Sequence, residues 1–424
     1  MTARCSCKDG SRLILLARRF PFNHGEVAAE SYLETEIVYL AQHFDEILAI
    51  GTEAPHGDAP TCSLPENVTP LALGCANELA DKVELTARGF MYPFGASVQV
   101  KKSLESDRVK GLERRLFRGY FTARADRKFN AICNCLDDLE ISPTHIYSFW
   151  FYDIALAASW LSEKYPWCHV VSRAHGYDLY EERNRTHYLP FRRYLLDHLD
   201  WVLTCSKNGE RYLDTEWPGY GDKVRTLYLG TPSLPDKSNE PQEKTLELVS
   251  CSRVVDIKRV EIIAEAIRIL DDKGTCVSWT HFGDGPNIAK LKSMCCDLAK
   301  CKVCLRGNIP NKVLLDEYAS CHFDLFINVS SCEGLPISIM EACGCGIPVL
   351  ATDVGGTSEI VSDGVNGFLL EPDCSAADVA DAIVRFSELG PEAKLKMRGT
   401  ARSVWEIGFQ TERNAAELAH VLGV

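Results

Sequence analysis

No apolar run in this 424-residue chain approaches 18 residues, the length at which a membrane-spanning helix becomes a candidate. Positive charge is also scarce. Against 59 Asp and Glu stand 46 Lys and Arg, and the formal net charge of -13 argues against a general nucleic-acid binder. Internal repeats and low-complexity tracts are absent. The N-terminus offers only Leu13-Ile-Leu-Leu-Ala17 as an apolar core, flanked by Arg18 and Arg19, which reads as a first strand rather than a signal peptide. What is present is ordinary for a globular protein: 46% apolar residues and 25% charged ones, in a chain long enough for two or three domains.

Cysteine is the exception, with 19 residues. In a long chain without an export signal this number suggests a reducing cytoplasm rather than a disulfide framework. Cys301 and Cys304 have the two-residue gap of a zinc pair, and Cys295 and Cys296 lie close by. These four fall where a helix ends and a strand begins, a place where small buried thiols are common. The expectation is therefore no metal and no cofactor.

Strand-like and helix-like patterns alternate along the first half: Leu13–Ala17, Glu30–Phe44, Ile47–Ile50, Ile146–Phe149, Val170–Ala174, Phe191–Leu199 and Trp201–Cys205. A linker with three prolines, Gly230–Lys244, follows. A fresh series starts at Leu246–Ser250 and continues through Val277–Phe282, Val303–Leu305, Leu325–Val329 and Val349–Thr352. Such alternation predicts an α/β protein with two doubly wound parallel sheets, split near residue 240. Ligands of such sheets bind beyond the C-terminal strand ends, so the cleft between the domains is the expected active site.

The densest chemistry lies in Ser331–Pro348, where Glu333 and Glu341 stand eight residues apart. Glu333 is followed by Gly334, Leu335 and Pro336, and Pro336 suits the first helical position. Glycine turn and helix start together offer an anion site. At 1.5 Å rise per residue the two carboxylates lie up to roughly 12 Å apart, about the span of a nucleotide sugar. Cys251–Lys258 follows the first strand of the second series, and both Arg253 and Lys258 can reach one diphosphate from that loop.

These segments resemble the family 4 (group 1) retaining glycosyltransferases of the GT-B fold, whose E-x7-E signature Glu333 and Glu341 match over a block from Phe323 to Leu370. The resemblance implies two Rossmann-like domains facing each other across a cleft. An acceptor-binding domain would span 1–235 and a nucleotide-sugar-binding domain 236–404. A terminal helix over 405–424 would cross back to the first domain. It implies that Arg253 and Lys258 hold the diphosphate, Glu333 the donor sugar and Glu341 the ribose. Gly283, in His281–Pro286, would frame the nucleotide, and Gly307 and Ile309 would lie near the base. His175, in Ser172–Asp178, matches the family histidine beside the reacting carbon, with Tyr177 and Asp178 as acceptor candidates. Phe20–Glu26 resembles the opening of exopolysaccharide and colanic-acid-type transferases, with Gly25 approaching the phosphate and Glu26 the acceptor. The single glycine departs from the paired glycine of many relatives.

The function so implied is transfer of a sugar from a UDP- or GDP-linked donor to a glycan or lipid-linked hydroxyl, without metal. A sugar phosphorylase or epimerase on the same fold and a non-catalytic nucleotide-sugar binder are the alternatives. Residues 101–128 hold ten Lys or Arg against Glu105, Asp107, Glu113 and Asp126. With Leu112, Leu116, Phe117, Tyr120 and Phe121 interleaved, the segment reads either as a surface for anionic lipid at the inner membrane face or as a helix packed on its own domain.

Overall fold

The computed structural model describes residues 10–22, 30–75, 79–95, 97–236 and 245–424. The chain divides into two units: Met1–Leu229 with Thr411–Val424, and Gly230–Gln410.

In the first unit seven parallel strands are β1 (Arg12–Ala17), β2 (Glu46–Gly51), β3 (Val68–Ala72), β4 (His145–Ser148), β5 (His169–Ala174), β6 (Trp201–Thr204) and β7 (Val224–Thr226), in the order β3-β2-β1-β4-β5-β6-β7. Alternate residues of β1 feed opposite cores. Ile14 and Leu16 pack with Phe121, Ile132 and Trp160 on one face, while Leu13 and Leu15 pack with Leu33, Ile37, Leu418 and Leu422 on the other. A strand covered on both sides has no polar face to show, which explains the unbroken apolar run. β3 carries Pro70, tolerated because β3 is an edge strand.

The second unit has six parallel strands: β8 (Leu246–Cys251), β9 (Val277–Phe282), β10 (Lys302–Gly307), β11 (Leu325–Asn328), β12 (Val349–Thr352) and β13 (Gly367–Leu370), in the order β10-β9-β8-β11-β12-β13. In both sheets the winding reverses once, between β1 and β4 and between β8 and β11. The loops leaving neighbouring strands diverge at such a point and open a crevice at the C-terminal edge, where ligands of doubly wound sheets sit.

The terminal helix expected over 405–424 falls in two helices, Pro391–Gly408 and Thr411–Leu422. Trp405 belongs to the second unit, where its indole N–H donates to Thr231 Oγ1 (2.7 Å) and the Thr231 N–H donates to the Phe409 carbonyl (2.9 Å). Those bonds anchor the end of the first helix, and the chain after it buries Leu418 and Leu422 against Leu33 and Ile37 in the first unit.

Candidate active site

At the β8/β11 reversal two loops are stitched together. The loop after β8 passes Arg253 and a short 3-10 turn, Asp256–Lys258, before the helix Val260–Asp272. Ser331 N–H from the loop after β11 donates to the Ile257 carbonyl (2.8 Å), and Arg259 donates from Nε to the Val329 carbonyl (2.7 Å) and from Nη2 to that of Ser330 (3.2 Å). These two bonds hold Arg259 at φ +48°, a left-handed conformation unusual for a side chain of its size. Lys258 is thereby aimed at the other loop, and its Nζ donates to Glu333 Oε1 at 2.6 Å. Asn328 Nδ2 reaches the same oxygen at 3.2 Å. Arg253 is exposed and, among the described residues, has no ion-pair partner. Arg259 and Asn328 were not singled out from the sequence. Asn328 stands at a strand end next to Glu333, which is the one local signal available.

Glu341 lies in the helix Ile337–Gly344 and is buried; Pro336 serves as its N-cap residue rather than its first helical residue. Burial pushes the Glu341 pKa up to about 7, and an Asn311 Nδ2 bond to Oε1 (2.8 Å) opposes the rise. Because the folded protein then holds a proton that the unfolded chain releases near 4.5, this group lowers stability as pH rises from about 4.5 to about 7. If Glu341 accepts from ribose hydroxyls, nucleotide affinity should strengthen through pH 7 as the carboxylate ionises. Glu341→Gln should flatten both trends, as read by nucleotide titration and thermal melting across pH 5–8.

The other residues singled out in the second unit lie at the C-terminal strand ends of the same sheet. Gly283 has φ +142°, and a Cβ there would lie 1.8 Å from the Ser252 carbonyl oxygen, so only glycine lets the β9 loop lie against the β8 loop. Its N–H donates to the Gly307 carbonyl (2.8 Å), which ties in the end of β10. Ile309 is half-buried just beyond, ahead of the helix Asn311–Ser320. The Gly334 carbonyl accepts from Gly356 N–H (2.7 Å), and the space a Gly334 side chain would fill is open. Leu335 packs beside Gly356.

In the first unit His175 follows β5. Its ring sits between Phe149 and Trp150, with centroids 4.6 and 4.5 Å away, and its Nδ1 is 3.7 Å from Asp178 Oδ2. Neither ring nitrogen has a hydrogen-bond partner among the described residues. Burial disfavours the imidazolium, but the Cys205 sulfur and the Asp178 carboxylate outweigh it and raise the pKa. Asp178 is buried and holds backbone: Oδ1 accepts from His175 N–H (2.6 Å) and Oδ2 from Phe151 N–H (2.7 Å). Tyr177 is 59% exposed. Gly25 and Glu26 lie outside the described residues.

Cys301 donates its thiol to the Thr275 carbonyl (3.2 Å), while Cys296 and Cys304 are exposed. No group of three or more His, Cys, Asp or Glu among the described residues could hold a metal ion. Residues 101–128 divide by face. Phe121 and Lys128 are buried and Tyr120 packs against the core, whereas Lys101, Lys102, Arg108, Lys110, Arg114, Arg115 and Leu112 are exposed. Among the described residues no helix is long and apolar enough to cross a membrane.

Comparison with known proteins bears on the family and the fold. Residues 245–388 match the family model described as glycosyl transferases group 1. The amylovoran biosynthesis glycosyltransferase AmsK of Erwinia amylovora is 30% identical over 216 residues, which cover 47% of this chain and 51% of that protein. The O-antigen biosynthesis glycosyltransferase WbnH of Escherichia coli is 29% identical over 180 residues, 42% of this chain and 48% of that one. The chain thus spans about half the length of these relatives. Among solved structures, Anabaena HepE in complex with UDP and glucose superposes with a TM-score of 0.61 at 15% identity, over 98% of this chain and 99% of that one. Sucrose-phosphate synthase from Thermosynechococcus elongatus does so with a TM-score of 0.66 at 14% identity, over 97% and 98%. Over residues 245–388, therefore, the chain is similar to the glycosyl transferases group 1 domain, and its fold is the GT-B fold of these structures.

Proposed function

We propose that the protein is a retaining glycosyltransferase that moves a sugar from a nucleoside diphosphate to a hydroxyl of a growing cell-surface glycan. The observation that carries this reading is the Lys258–Glu333 pair at the β8/β11 reversal, in a loop that also carries the exposed Arg253. A leaving diphosphate gains negative charge as the sugar departs. Arg253 and Lys258 supply fixed positive charge there, and preorganised donors of this kind contribute roughly 3–4 kcal/mol in the transition state. In this reading Glu333 accepts from donor sugar hydroxyls and Glu341 from the ribose, and the family resemblance assigns His175 to the donor sugar as well. By family resemblance the acceptor attacks from the leaving-group face and passes its proton to the phosphate, so no separate base is required. HepE was solved with UDP and glucose, which supports a UDP-linked donor here.

A panel of nucleotide sugars tests the reading. One donor should raise the melting temperature and be hydrolysed slowly without acceptor. A chelator should leave that rate unchanged, and strong chelator sensitivity would reject the metal-free account. Tight binding with no hydrolysis in any donor would instead favour a non-catalytic binder. The exposed cations from Lys101 to Arg115, beside Leu112 at 67% exposure, support peripheral association with an anionic membrane face. Vesicle sedimentation at low salt should show more protein on anionic than on neutral lipid; equal partitioning would sink this part.

A further inference from the structure

The first unit has its own crevice at its own reversal point. Loops after β1, β2, β4 and β5 surround a cavity of about 560 Å³, so it sits where the β1/β4 divergence opens the sheet edge. Four aromatic rings line it: Tyr120, Trp150, Tyr152 and Tyr177. Arg18, Arg19, Lys82 and Arg124 bring cations to the same wall.

The three acids of the lining are turned away from the space they border. Glu53 is 4% exposed; its Oε2 accepts from Arg18 (3.1 Å), and its Oε1 from Arg124 (2.7 Å) and Lys128 (2.7 Å). Asp153 is 1% exposed and pairs with Lys128 (2.8 Å) and Arg124 (3.1 Å). Asp178 holds the two backbone N–H groups already described. Two of the cations lie nearer solvent: the Arg18 side chain is half exposed, and Lys82 is exposed with no acid paired to it among the described residues. The three cations Arg18, Arg124 and Lys128 pair with the two acids Glu53 and Asp153, and Arg19 and Lys82 add positive charge to the wall. A ligand here meets aromatic faces and positive charge together.

We infer that this pocket binds a sugar bearing an anionic oxygen group, a carboxylate or a phosphate. The rings would cover the apolar face of the hexose, and Lys82 with Arg18 would take the anion by charge-assisted hydrogen bonds. That this sugar would be the acceptor rests on the transferase reading. The binding itself does not.

Titration of the full-length protein with methyl glucuronide, an isoprenyl-diphosphate-linked glucose and methyl glucoside, followed by ligand-observed NMR at low salt, tests the inference. At least one anionic probe should bind at least tenfold more tightly than the glucoside, about 1.4 kcal/mol, and which one does so separates a uronic acid from a lipid diphosphate. Lys82→Glu, a surface change that leaves the buried network intact, should remove that preference. Equal binding of all three probes, no binding of either anionic one, or a preference that survives both Lys82→Glu and Arg18→Gln would overturn the inference. Slow donor hydrolysis by the unsubstituted protein reads the second unit separately. Its absence beside intact anionic-sugar binding would remove the transferase reading and leave the pocket standing.

Discussion

Replacing Lys258 by alanine is expected to lower nucleotide-sugar turnover at least about 100-fold while the protein stays folded. Two losses combine. The diphosphate loses a cation in a loop fixed by Ser331 and Arg259, and the Glu333 carboxylate is left with Asn328 at 3.2 Å as its hydrogen-bond partner among the described residues. The carboxylate then stands near the phosphate without its counter-charge. Lys258→Arg should recover part of the rate, and Arg253→Ala should show a comparable fall. The Lys258 side chain is 26% exposed, so the change in melting should correspond to about 1 kcal/mol or less. Steady-state kinetics beside a melting curve separates the two. Turnover of Lys258→Ala within a fewfold of the unsubstituted protein would end the assignment of this pair to the reacting diphosphate.

The second large effect is on stability. Lys128→Met should destabilise the first unit by about 3–5 kcal/mol, because it removes the ammonium shared by two buried carboxylates. Lys128 is 1% exposed and lies 2.7 Å from Glu53 and 2.8 Å from Asp153. Burial alone would raise the Glu53 pKa; Lys128, then Arg124 and Arg18, overcome it and hold the carboxylate well below the usual range. A depressed acid contributes stability above its unfolded pKa, here near 4.5, and that contribution fades as pH falls further. The gap between Lys128→Met and the unsubstituted protein should therefore be widest at neutral pH and narrow below about 4.5. Urea melts at pH 7 and pH 4 check this. A gap independent of pH would mean that lost packing of the lysine stem, not its charge, explains the effect.

The sheets were legible because each central strand is covered on both faces and shows as an apolar run. β3 and β7 were not, since an edge strand with Pro70 and a three-residue strand lack that signature. Around Glu333 the sequence exposed the glycines and the acids, because loop and helix signals there are local. It hid Arg259, Asn328 and Asn311, whose roles exist only once separate strand ends converge. The same reason hid the first-unit pocket: Arg18, Glu53, Arg124 and Asp153 are scattered over more than a hundred residues. Charge counting over 101–128 could not reveal that Arg124 and Lys128 turn inward to acids supplied from elsewhere, while the earlier cations stay outside.

The first unit is discontinuous, and that shapes how it is made. Leu33 and Ile37 find Leu418 and Leu422 only after residues 230–410 have been synthesised, which takes roughly ten to forty seconds at ordinary rates. Throughout that interval an oily stripe on the nascent polypeptide has no native cover. The first unit therefore matures late, its outer face sealed only once that helix becomes available.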